Sequence, residues 1–133
     1  MIFDSHAHYE DKKFDQDRVE LLSMMNDNNI GRIVNVGSTL NTSIESIDLA
    51  NSYKDVYAAV GIHPSEVAFP IDGDEDNTFE QSRMPDVLSR LEDLSKDGKC
   101  VAIGEIGFDY YWDKEEENHK LQREWFIAQL ELA

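Results

Sequence analysis

Short apolar runs alternate along this chain with longer stretches in which apolar residues recur every three or four positions. Ile2 to His6 is the first apolar run and reads as a strand, whose side chains alternate between two faces. Phe14 to Asn28 carries Val19, Leu22 and Met25 at helical spacing, with acidic residues in its first turn, and predicts a helix. After Asn-Asn-Ile-Gly, Arg32 to Val36 predicts a second strand. Thr42-Ser43-Ile44-Glu45 has capping-box spacing and predicts the opening of a second helix with Ile44, Ile47, Leu49 and Ala50. Val56 to Ile62 reads as strand three.

The rhythm then breaks. Ser65 to Arg83 holds Pro70, Gly73 and the acidic cluster Asp72, Asp74, Glu75 and Asp76, and reads as a solvated loop, an insertion at about residues 67–84. A helix is expected from Pro85, a favourable first-turn residue, through Val87, Leu88, Leu91 and Leu94, with Gly98 placed to stop it. Cys100 to Ile103 is the fourth expected strand. The last helix starts near Lys114 and runs to the end, with Leu121, Trp125, Ala128 and Leu132 on one stripe.

Four strand–helix repeats predict an α/β fold with a parallel sheet and right-handed crossovers. The strands are nearly continuous in apolar residues, as expected where both faces of a sheet are covered. Neither a Gly-x-Gly-x-x-Gly nor a Walker phosphate loop is present, which weighs against a nucleotide-binding doubly wound fold. Polar residues instead recur at strand ends: His6 and His8, Asn35, His63 and Glu105. In a (β/α) barrel, strand C-termini and the loops after them build the active site.

Composition narrows the function classes. The 133 residues carry 12 basic and 28 acidic side chains, a net charge of −16, and no Lys or Arg occurs from Asp55 to Ser82. Such a surface does not grip nucleic acid broadly by its phosphates, though a metal enzyme that touches only a strand end remains compatible. No apolar run approaches the roughly 18 residues of a membrane span, so no membrane partner is expected. One cysteine, Cys100, leaves no internal disulfide, and with no secretory signal visible a cytoplasmic location is expected.

The candidate chemistry begins with Asp4-Ser5-His6-Ala7-His8. On a regular strand residues 4, 6 and 8 share a face, and two imidazoles on one face can converge on a single cation. A distant carboxylate, Glu105, ends another apolar run in Ala102-Ile103-Gly104-Glu105-Ile106-Gly107. Against these stand plainer readings: histidines that cap a strand, a solvated Glu105 and a structural His63. Asp4 reads as a supporting carboxylate rather than a ligand. Asp109, Tyr110 and Tyr111 shape a rim or pack on the following helix. His119 reads as an exposed side chain, Met24-Met25 and Trp125-Phe126 as core, and Cys100 as a non-nucleophilic strand residue.

Taken together, four segments resemble the TatD family of metal-dependent deoxyribonucleases, within the amidohydrolase-like TIM barrels. They are Phe3-Asp4-Ser5-His6-Ala7-His8, Val60-Gly61-Ile62-His63-Pro64, Ala102 to Tyr111, and Gln122-Arg123-Glu124-Trp125-Phe126 leading into Gln129-Leu130. The resemblance implies that His6, His8 and Glu105 are metal ligands. It also implies catalytic positions for Glu105 and His63, with His63 a substrate or supporting contact. The implied cofactors are Mg²⁺, Mn²⁺ or Zn²⁺, one or two per complete site, and the implied substrate is DNA ends, often with nucleotides removed from the 3′ side. Competing expectations are an amidohydrolase-like enzyme on another ester or amide, and a non-catalytic interaction module.

Only four of the eight β/α units of such a barrel are accounted for, and the family's later histidines and aspartate have no counterpart here. The chain therefore reads as the N-terminal half of a barrel. As such it is expected to self-associate or to pair with a C-terminal half, and to be weakly active or inactive alone.

Overall fold

The computed structural model describes residues 1–68 and 83–133. Four parallel strands, β1 (Ile2–Ala7), β2 (Ile30–Val36), β3 (Val56–Val60) and β4 (Cys100–Ile103), form one sheet in the order β1-β2-β3-β4. The helices are α1 (Arg18–Ser23), α2 (Leu40–Ser52), α3 (Pro64–Ala68), α4 (Met84–Ser95) and α5 (Glu116–Leu130), with a 3-10 turn at Lys12–Phe14. Sequential strands thus lie side by side, each joined to the next by a connection containing helix, as in the wall of a β/α barrel. Among the described residues no helix is long and apolar enough to cross a membrane.

The core lies between the sheet and its helices. Ile33, Val56, Ala58 and Val60 meet Leu40, Ile47, Ala50, Val87, Leu91 and Trp125, all buried. The opposite face is concave and sparsely filled by Val34, Val36, Ala59 and Tyr57. It opens as a trough of about 440 Å³ lined by these valines, Ala59, Ser5, His6 and the segment Val101 to Ile106. The expectation that every strand is covered on both faces fails here, since Phe3 and Val101 are 61 % and 54 % exposed.

Boundaries moved where local chemistry competes with the helix. The expected helix over Phe14–Asn28 shrinks to Arg18–Ser23. Asn26, Asp27, Asn28 and Asn29 offer side-chain partners to the backbone and favour turns, and Asn29 takes the left-handed φ of 61° that asparagine tolerates. Leu22 and Met25 are buried, whereas Val19 is exposed. The second helix begins three residues early, because its cap is Thr39. The Thr39 hydroxyl accepts from the Thr42 N–H, while the Thr42 hydroxyl accepts from the Thr39 N–H. Pro64–Ala68 is a short helix where a loop was expected, and most of the expected acidic insertion, residues 69–82, lies outside the described residues.

The stripe expected on the last helix shifts. Its buried positions are Gln122, Trp125 and Gln129, with Leu121 and Leu132 only partly covered. Glutamine serves here because backbone ends face it. The Gln129 side chain accepts from the Ile62 N–H (2.7 Å) and donates to the Ile62 carbonyl (3.2 Å), so α5 seizes the end of β3. An apolar residue there would leave two buried backbone groups unpaired.

Replacing Leu91, fully buried, by alanine is expected to cost about 2–5 kcal/mol, whereas Val19→Ala should stay within about 0.5 kcal/mol. Urea midpoints of the two variants measure the difference.

Candidate metal centre

The strand ends deliver the polar residues to one rim of the sheet. On β1 the regular alternation is broken: between Asp4 and Ala7, three residue steps run beside only two on β2, from Ile33 to Asn35. Asp4 and Ala7 therefore both lie beside residues that face the helices, while His6 lines the trough. The expectation that Asp4 shares a face with the histidines is corrected by this bulge, which re-aims a strand end in the way bulges commonly do near functional sites. The Asp4 carboxylate instead accepts from the His6 backbone N–H (3.1 Å).

His6, His8 and Glu105 converge, with one ligand atom of each within 4.8 Å of the others. His6 Nε2 lies 3.1 Å from His8 Nε2 and 3.4 Å from Glu105 Oε2. At a Zn–N length near 2.05 Å, two ligands of a tetrahedral ion stand roughly 3.3 Å apart. These two separations match that edge, and the third, His8 to Glu105, lies within 4.8 Å, so the three groups stand close enough to share one cation.

The proton inventory supports the same fit. His8 Nδ1 lies 3.3 Å from Glu10 Oε1. An ionised carboxylate only accepts, so Nδ1 carries the proton of the neutral ring and Nε2 turns its lone pair toward His6 and Glu105. Glu10 is itself held: its side chain is only 5 % exposed, and its Oε2 accepts from Asn35 Nδ2 (2.6 Å). Asn35, fully buried at the end of β2, also accepts from the Tyr9 N–H (2.6 Å) and donates to Ser46 Oγ (2.9 Å). Arg18 clamps the same loop by donating to the Tyr9, Glu10 and Asp11 carbonyls. A carboxylate behind a histidine is the usual arrangement that orients a ligating imidazole.

Glu105 is brought in by a close backbone approach. A Cβ on Gly61 would stand 2.8 Å from the carbonyl carbon of Gly104 and 3.1 Å from the Glu105 nitrogen, so only glycine lets the end of β3 pass. The Glu105 N–H donates to the Gly37 carbonyl (3.0 Å), which ties the carboxylate to the end of β2 as well. His63 lies outside the three-residue group but beside it, with Nε2 3.6 Å from Glu105 Oε1. Its Nδ1 accepts from the Ser65 N–H (3.2 Å) and also contacts Ser65 Oγ (2.7 Å). Ser65 Oγ in turn donates to Glu66, a buried carboxylate on α3.

Other expectations resolve one by one. Cys100 is no nucleophile: burial pushes its thiol up, the reverse of activation. His119 is not a free surface side chain; Tyr110 stacks on it at 3.9 Å and its Nε2 meets the Asp113 carbonyl at 2.7 Å. Phe108 packs on Phe126 of α5, whereas Tyr111 stays exposed. Met25 and Trp125 are core, but Met24 is 40 % exposed. Glu10, Ser46 and Ser65 carry no motif that singles them out, although the spacing His8-x-Glu10 is a signal that sequence reading missed.

A family model described as TatD related DNase matches residues 3–133. The chain belongs to that family. It is 35 % identical over all 133 residues to a protein of Bacillus subtilis named as an uncharacterized metal-dependent hydrolase, YabD, of which it spans 46 %. It is 24 % identical to a Cronobacter sakazakii protein named as a 3'-5' ssDNA/RNA exonuclease, covering 99 % of this chain and 44 % of that one. Among solved structures, YjjV of Escherichia coli, a TatD homologue, superimposes with a TM-score of 0.72 at 24 % identity, covering 99 % of this chain and 46 % of its own. A TatD family hydrolase from Entamoeba histolytica gives 0.73 at 20 % identity, over 98 % and 45 %. The chain spans about half the length of these relatives, and its four β/α units match the TatD barrel over that span. Membership makes it part of a metal-dependent hydrolase family.

Two variants test how the centre is held. Glu10→Gln is expected to weaken Zn²⁺ or Mn²⁺ binding about 10–100-fold while the circular dichroism spectrum stays unchanged. Gly61→Ala should displace Glu105 and reduce cation affinity to a similar degree, read by isothermal titration calorimetry.

Proposed function

We propose that the protein is a metal-dependent phosphodiesterase that hydrolyses DNA from a strand end, 3′ ends in particular. The observation that carries this reading is the convergence of His6, His8 and Glu105 at cation-ligand spacing on the open rim of a barrel wall. His6, His8 and Glu105 would hold a divalent cation, which would supply Lewis acidity toward a phosphoryl oxygen and an activated water. Two imidazole donors favour Zn²⁺ or Mn²⁺ over Mg²⁺. His63, whose Nε2 stands 3.6 Å from Glu105 Oε1, is placed to contact a substrate oxygen there.

Support for DNA comes from the family's description and from the exonuclease name of one relative, while others are named only as metal-dependent hydrolases. The concave trough and the edges of β1 and β4, unpaired among the described residues, support a second element of the proposal. Further β/α units, from a longer chain or a second copy, close the barrel and complete the ligand set. The four units alone then hold a cation by three side chains and hydrolyse DNA weakly at best. The same reading assigns the protein to the cytoplasm.

The deciding experiment offers end-labelled single-stranded DNA and a panel of small esters and cyclic amides to this chain joined to a complementing set of barrel strands. DNA hydrolysis that EDTA abolishes, and that Glu105→Ala lowers by at least about 100-fold, is expected. Turnover of esters or amides with intact DNA would refute the nuclease reading, as would cleavage that survives EDTA. For the four units alone, light scattering is expected to show self-association; a clean monomer with low hydrophobic-dye binding contradicts the closure proposal.

A further inference from the structure

Beyond Glu105, the connection between β4 and α5 holds its most exposed aromatic pair. Tyr111 and Trp112 are 72 % and 79 % exposed, with ring centroids 4.7 Å apart in a T-shaped pair. Large aromatic rings left in water on a mobile loop would carry little meaning, but this loop is braced from below. Asp113, only 2 % exposed, accepts from the Glu115 N–H (3.1 Å), from Asn118 Nδ2 (3.3 Å) and from Gln122 Nε2 (3.1 Å). Gln122 in turn accepts from the Asp109 N–H (2.8 Å), and the Asp109 carboxylate accepts from the Trp112 N–H (3.3 Å). Tyr110, stacked on His119, closes the other side. Asp113 and Gln122 are buried beneath the loop, and the two rings are held out.

Charge selects what such rings can receive. With a net charge of −16 the chain has little to offer a phosphate backbone, and duplex DNA shows a protein mainly phosphates and base edges. Unpaired bases offer π-faces, which stack on aromatic side chains. One cation is local: Lys114 Nζ lies 5.3 Å from the Tyr111 ring centroid and donates to the Tyr110 carbonyl (2.7 Å). Seven residue steps separate Glu105 from Trp112, so even a fully extended chain sets their Cα atoms no more than about 25 Å apart. A short unpaired strand spans that.

We propose that Tyr111 and Trp112 are a stacking platform for the unpaired bases of single-stranded DNA, holding the strand whose end reaches His6, His8 and Glu105. This rests on the nuclease reading above and adds the residues that choose single strands over duplex. Leucine is the informative replacement, because it keeps apolar area for a protein partner but removes the π-face a base needs.

The test measures binding of labelled oligo(dT) to the full 133-residue chain in EDTA, by anisotropy and by quenching of tryptophan emission. Trp125 is only 1 % exposed, so a quenched exposed component reports Trp112. Single strands are expected to bind and quench, and the matching duplex to bind far more weakly. Affinity should fall less than about threefold between about 50 and 200 mM salt, because few phosphates are engaged. Tyr111→Leu and Trp112→Leu should each lower affinity by about tenfold or more, with Trp112→Phe restoring most of it. Leucine variants that bind as the parent does, or duplex held as tightly as single strand, overturn the platform. Because no hydrolysis is involved, that failure leaves the nuclease reading standing. Conversely, an intact platform beside a completed, metal-loaded barrel that leaves DNA uncut would count against the nuclease reading alone.

Discussion

The Asn35 side chain sits where no water reaches and has to satisfy its own amide and three neighbours at once. It takes the Tyr9 N–H on its oxygen and gives its nitrogen to Glu10 and Ser46, joining β2, the loop after β1, and α2. Removing it would take a partner from all three, at about 1–3 kcal/mol for a group left buried and unpaired. The loop therefore has one low-energy path, and that path carries Glu10 behind His8. The orientation of the imidazole, and so the direction of its lone pair, follows from an amide that never touches a cation.

The other half of the centre depends on absence of a side chain. Gly61 lets the backbone at Gly104 approach, and the Glu105 N–H reaches across to the Gly37 carbonyl. Gln129, 67 residues further along the chain on the last helix, holds Ile62 by its amide. Three strand ends are thus tied by backbone contacts, and the imidazoles and carboxylate meet because those ends do. The chemistry is exposed on one rim, with His6 half in solvent, whereas the groups that aim it are buried.

Much of this was legible from residue order. Strand four matches Cys100–Ile103 to the residue, and the parallel β/α alternation follows from apolar runs separated by helical spacing. His6, His8 and Glu105 stand out because polar groups end apolar runs, and they do come together. What stayed hidden is what period alone does not encode. The bulge between Asp4 and Ala7 arises from pairing with β2, and no pattern within β1 announces it. Gln122 and Gln129 look like surface residues on a helical wheel, yet they are buried because backbone groups of other segments need partners. Glu10 is one more acidic residue in an acidic chain until Asn35 lies beside it.

The outer edge of β4 has a consequence for the site it leads into. Cys100 to Ile103 pair with β3 on one side only among the described residues, and Glu105 follows two residues later. Whatever strand adds itself along that edge would stiffen the very peptide from which the carboxylate hangs. Cation affinity and strand addition then become linked equilibria: each raises the other by the same factor, as reciprocity between two binding events on one molecule requires.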